Sequence, residues 1–143
     1  AVSEWGDNSD GLIIADHECN EYYTAKRYNA LAHFSKFVPV GSKVISNEKD
    51  VNDRVAWKIK NQMGFVILNK TNCASFLTPD GSIVVVIVND DAGCTFNFEG
   101  ISGRDNLKIY TTNDQYDLKL TYDGEYKQEV EIPGLSITTL IFS

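Results

Sequence analysis

Apolar residues in this chain change period between residues 42 and 55, and the change separates two kinds of segment. Between residues 22 and 42, Leu31, Phe34 and Val38, with Ala30 and Phe37 beside them, recur at three-and-four spacing, while Lys26, Arg27, Asn29, His33 and Lys36 fall mostly elsewhere. That spacing predicts one amphipathic α-helix. Asn20 is placed to cap its first N–H groups, Glu21 suits the positive end of its dipole, and Pro39 and Gly41 end it. A helix of this length is marginal alone in water, so its apolar face needs a partner.

Downstream the period is two. Val55, Trp57 and Ile59 alternate with Ala56, Lys58 and Lys60, and Phe65 to Leu68 makes a further short run. Residues 74–77 and 82–89 flank Pro79-Asp80-Gly81, a hairpin turn in which proline presets φ and glycine is permissive. The run from Ile83 to Val88 is apolar on both faces and is expected to be a central strand. Alternation continues through Cys94, Phe96 and Phe98, through Leu107, Ile109 and Thr111, and through Tyr126, Gln128, Val130 and Ile132, before a closing run over residues 135–142. Ahead of the helix, turn residues lead into a brief strand over 12–15, and residues 43–54 read as a polar surface loop. The fold class this predicts is mainly β: an antiparallel β-sandwich of about eight strands preceded by one amphipathic α-helix.

Composition narrows the partners. The net charge is −7 and no basic run exists, so nucleic acid and anionic membrane are poor partners on electrostatic grounds. The most apolar run is strand-sized and cannot insert into a bilayer as a helix. Cys19, Cys73 and Cys94 have neither metal-like nor redox-like spacing; buried or indifferent thiols are the expectation, with a Cys73–Cys94 bridge as the alternative. Asn69-Lys70-Thr71 is a glycosylation sequon.

Candidate chemistry is sparse. His17 and His33 are far apart, and His17-Glu18-Cys19 has no second cluster to complete a metal site, so surface or packing roles are expected for both. Ser42, Ser82 and Ser136 have no histidine and carboxylate near them in sequence. Asp90, Asp91, Asp114, Asp117 and Asp123 read as solvated turn residues rather than calcium ligands, because no bidentate glutamate spacing accompanies them. No cofactor and no metal are expected. Flat rings that could stack on sugars gather near the helix: Trp5 in a polar loop beside Asp7 and Asp10, then Tyr22. Trp57 is expected in the core.

Four strings carry a family resemblance: AHFSKFVPVGSKVI, FLTPDGSIVVVIVN, KIYTTNDQYDLK and IPGLSITTLIFS, in that order along the chain. They resemble glycoside hydrolase family 30, which includes glucosylceramidases, xylanases and β-1,6-glycanases, at the segment joining the last barrel helix to the side β-domain and in that domain. The resemblance implies that residues 1–40 form the end of the catalytic (β/α)8 barrel and residues 41–143 the C-terminal side sandwich. It also implies that the N-terminal strands the family donates to the side sheet are not in this chain.

Family 30 enzymes are retaining and use two glutamates, which retention places about 5 Å apart. The Asn-Glu-Pro context of the acid/base glutamate does not occur here, and no catalytic residue is assigned. Ser3-Glu4 resembles the setting of the nucleophile. Fewer than twenty residues separate Glu4 from Tyr22, too few for the helix and strand that follow the nucleophile in an intact barrel, so Glu4 is read as a loop residue. Members that read a uronic acid branch use basic residues from the barrel-end loop; here that loop holds Glu4, Asp7 and Asp10 and no Lys or Arg before Lys26, which implies a neutral substrate.

The expected function is therefore a non-catalytic C-terminal sandwich portion of an O-glycosyl hydrolase acting on β-linked glycans, bracing the barrel and touching carbohydrate through Trp5, Asp7, Asp10 and Tyr22. The resemblance further implies a secreted or extracellular parent. A free-standing carbohydrate-binding module is the alternative, and an immunoglobulin-like interaction sandwich a third reading. The barrel-type helix favours the first, because a self-sufficient module has no use for one. The expected partners are the parent's catalytic barrel, a neutral β-glycan, and a second copy of the chain through the N-terminal helix.

Overall fold

The computed structural model describes residues 11–16, 18–45, 55–61, 64–69, 71–101 and 103–143, with 55–61 and 64–69 described by their backbone. Among these the elements run β1 (Ile13–Asp16), β2 (Glu21–Thr24), α1 (Lys26–Ser35), β3 (Lys43–Ile45), β4 (Val55–Asn61), β5 (Gly64–Asn69), β6 (Thr71–Leu77), β7 (Ile83–Asn89), β8 (Cys94–Asn97), β9 (Asn106–Thr112), β10 (Lys119–Glu125), β11 (Glu129–Ile132) and β12 (Ser136–Phe142). The main sheet is antiparallel with strand order β10-β9-β12-β7-β6-β3, and β8 pairs with β11, β1 with β2 and β4 with β5.

The core follows from the period-two pattern. Val85 and Ile87 of β7, Leu107 and Ile109 of β9, and Leu140 and Phe142 of β12 share one face of the main sheet and meet Val130 and Ile132 of β11. Phe98 and Tyr126 close on Phe142 at ring-centroid distances of 5.2 and 6.0 Å. β7 lies between β6 and β12, and Val84 and Val86 on its other face are buried as well, as a strand apolar on both sides requires.

The hairpin expected around Pro79-Asp80-Gly81 joins β6 to β7. Gly81 has φ +87, a left-handed conformation that glycine adopts without a Cβ penalty. Asp80 accepts hydrogen bonds from the Thr78 hydroxyl and the Ser82 N–H, which hold its carboxyl below the usual carboxylate range. Cys73 and Cys94 are half-buried thiols against the core, as the simpler cysteine reading expects, and Cys19 is exposed.

Three local expectations need correction. The helix does not begin at Asn20: residues 21–24 form β2, and α1 starts after Ala25, which makes no side-chain cap. Tyr22, Tyr23 and Thr24 favour extended backbone, and Asn20, with φ +54, serves the β1–β2 connection, where the Asp16 carboxylate accepts the N–H groups of Glu18 and Cys19. Residues 43–45 are an edge strand on β6 rather than the start of a loop. β10 was not marked by alternation, because it is an edge strand with a register shift between Leu120 and Tyr122. At the other end of the helix, the chain leaves through Pro39 and Gly41 (φ +93) as expected.

Candidate functional site

The helix meets the sheet through a residue that periodicity assigned to the polar side. His33 is fully buried, and it is the one α1 side chain that is. Its Nδ1 lies 2.7 Å from Thr139 Oγ1 on β12, and its Nε2 lies 2.9 Å from Thr112 Oγ1 on β9. The Thr112 oxygen also accepts the Leu118 N–H at 2.9 Å. Burial lowers the imidazole pKa from 6.5 to about 4.

Aromatic packing flanks this contact on the same face. Phe37 lies on Tyr110 with centroids 4.4 Å apart, Phe34 meets Phe76 edge-on at 6.4 Å, and the Lys36 ammonium sits 5.5 Å from the centre of the Phe37 ring. At the helix start Lys26 Nζ donates to the Asn113 carbonyl at 2.9 Å and to Asp117 Oδ1 at 2.7 Å.

With His33 turned inward, the expected apolar stripe lies largely outward. Leu31 is 52% exposed and Phe34 is 37% exposed. On the β1–β2 ribbon, Ile13 and Tyr22 share one face by strand alternation, and Tyr22 is 77% exposed. Tyr23 belongs to the opposite face and is also exposed, as are Tyr28, Val40 and Val44. Among the described side chains, nine of the eleven exposed large hydrophobic residues fall within residues 12–44, and only Leu120 and Leu135 lie elsewhere. The exposed apolar surface is thus concentrated on the N-terminal third.

Of the site residues read from sequence, Tyr22 stands on β2 in open solvent; Trp5, Asp7 and Asp10 lie outside the described residues, as do Glu4 and His17, and Trp57 is described by backbone alone. Ile13, Tyr23 and Val44 join Tyr22 as exposed positions that sequence reading passed over. Their β-branched or aromatic character at 13–15 and 22–24 was the available signal.

Of the aspartates read as turn residues, Asp117 faces Lys26, and Asp123, which lies in strand β10 rather than a turn, faces Lys108 at 3.6 Å. Among the described residues no group of three His, Cys, Asp or Glu side chains converges as a metal site. An open polar groove of about 450 Å³ lies between the Asp80–Ser82 turn, Gly103, Arg104 and Ser143, where the Arg104 guanidinium donates to the Gly81 carbonyl through Nε at 3.1 Å and Nη2 at 2.6 Å.

A family model described as the glycosyl hydrolase family 30 beta sandwich domain matches residues 54–140. The chain belongs to this family. The stretch matched runs from the start of β4 into β12 and covers the whole alternating part of the sequence. Solved structures agree on the fold. A family 30 xylanase C catalytic domain from Talaromyces cellulolyticus superposes with a TM-score of 0.64 at 19% identity, over 93% of this chain and 27% of that one. A conserved exported protein from Bacteroides fragilis gives 0.63 at 20% identity, over 85% and 22%. A family 30 endoxylanase from Clostridium papyrosolvens C71 gives 0.60 at 20% identity, over 84% and 28%. This chain therefore spans about a quarter of the length of the proteins it resembles. Comparison with curated protein sequences finds no match.

Proposed function

We propose that this chain is the non-catalytic C-terminal portion of a family 30 glycoside hydrolase acting on β-linked glycans, and that its N-terminal third is the surface by which the sandwich braces the catalytic barrel. The observation that carries the reading is the concentration of exposed apolar residues in the N-terminal third. Soluble domains seldom leave a large apolar patch uncovered, and each buried Å² of such surface is worth roughly 25 cal/mol. Leu31, Tyr28 and Phe34 on α1, with Tyr23 on the ribbon face opposite Tyr22, are the side chains that would be covered.

Residues 1–40 then complete the end of the barrel and residues 41–143 form the side domain. Carbohydrate contact belongs to the same end, through Trp5, Asp7, Asp10 and Tyr22, with a neutral glycan as ligand; the exposed Tyr22 ring supports this part of the reading. Work outside the cell fits the company of a conserved exported protein among the similar structures.

The purified chain is expected to release no sugar or nitrophenol from any β-glycoside and to co-purify with the parent's catalytic barrel when the two are co-expressed. Leu31→Glu is expected to abolish that co-purification. Glycosidase activity lost on Glu4→Gln would restore Glu4 as a catalytic residue, and failure of the two parts to associate would remove the bracing role.

A further inference from the structure

The contact between α1 and the sheet has an unusual chemistry, because the helix inserts an imidazole where an aliphatic side chain would serve. A neutral ring suits its surroundings well. One nitrogen donates to a threonine hydroxyl, the other accepts a hydroxyl proton, and the Leu118 N–H still has the Thr112 oxygen to donate to. An imidazolium does not. Both nitrogens must then donate, and a full charge sits in a fully buried place with no carboxylate among its hydrogen-bond partners.

We infer that His33 is a proton-operated latch, which when neutral pins α1 across β9 and β12 and when protonated lets the helix leave the sheet. The rest of the helix is equipped for departure. Every other α1 side chain is at least partly exposed, and its aromatic contacts run along the same face. The main core cluster lies on the opposite face of the sheet and includes no α1 residue, while Val84 and Val86 are buried on the α1 face.

Among the described residues, the other titratable groups around the latch are few. β12 carries no titratable side chain, and β9 carries Lys108 and Tyr110. β2 offers Glu21, Tyr22 and Tyr23; α1 offers Lys26, Arg27 and Tyr28, with Lys36 just past its end; Asp117 in the adjoining turn faces Lys26. His33 is the one histidine among the described residues.

The sign follows from the two states. A released helix exposes an ordinary imidazole near 6.5, and the docked one stays neutral down to about 4. The released state therefore binds the proton first, docking is at full strength above the ordinary value, and it weakens as pH falls through the interval between them. With those two values the opening equilibrium rises about 30-fold from pH 7.5 to pH 5.

Amide hydrogen exchange on the whole chain, corrected for intrinsic rates, tests this. Amides of α1 are expected to lose protection by about that factor while remaining much less protected than those of β7, and His33→Gln is expected to remove the pH dependence. Protection in α1 that is flat with pH, or equal to that of β7 throughout, would overturn the latch, and so would the same pH dependence in His33→Gln. Should His33→Gln fail to fold, the NMR titration of His33 in the natural chain decides: a midpoint near 4 supports the latch and an ordinary one refutes it.

Discussion

Asn89 uses its whole hydrogen-bonding capacity from one buried side chain at the end of the central strand. Its Nδ2 donates to the carbonyls of Ala92 and Pro133 at 2.9 Å each, and its Oδ1 accepts the Thr71 hydroxyl at 3.0 Å and the Asp91 N–H at 3.3 Å. It thereby ties β6, the loop after β7 and the turn before β12. Gly134 completes the joint, because a Cβ there would stand 2.6 Å from the Asp91 carbonyl oxygen. Replacing Asn89 with Ala leaves buried partners without hydrogen bonds and is expected to cost about 3 kcal/mol in chemical denaturation. Neither Asn89 nor His33 was legible as important in the sequence, because at least part of each one's bonding lies far along the chain: Asn89 reaches Pro133, 44 residues away. The bonding partners of His33 lie 79 and 106 residues away, whereas periodicity reads only neighbours within a few turns.

Among the elements, legibility tracked burial. β7, β8, β9, β11 and β12 pack into the core on one face or both, so their patterns were plain; β3 and β10 lie at sheet edges, where polar residues are tolerated on either side, and went unread. The helix failed differently. Its apolar spacing was real, but only part of that stripe meets the sheet: Phe34 and Phe37 pack on Phe76 and Tyr110 beside the buried His33, while Leu31 stays outward. What holds α1 can be separated by two substitutions. Lys26→Ala removes an ion pair whose side chains are 54% and 58% exposed, and it is expected to change stability by less than about 1 kcal/mol. Phe37→Ala removes the ring that lies on Tyr110 and is expected to cost about 2 to 3 kcal/mol. Thermal unfolding of the two variants checks the order, and a larger loss from Lys26→Ala would shift the weight from packing to charge.

At the scale of the molecule, the buried core cluster lies on one face of the main sheet, and the other face is covered in part by a helix that carries exposed apolar residues of its own. The family was legible because three of its strings fall on β6, β7, β9 and β12, elements whose packing leaves little freedom of sequence. Of the residues expected to touch carbohydrate, Tyr22 alone lies among the described residues, where it is exposed, and stacking surfaces have no period by which a sequence could mark them. The central claim is that the N-terminal apolar face is an interface, and an isolated chain has a second copy of itself available to cover it. Leaving a few hundred Å² exposed would cost on the order of 5 to 10 kcal/mol, comparable to the stability of a whole domain. Sedimentation velocity across the micromolar range tests this most directly. The chain is expected to associate in a concentration-dependent way and to become monomeric on Leu31→Glu; a strictly monomeric natural chain with an ordered α1 would contradict the claim.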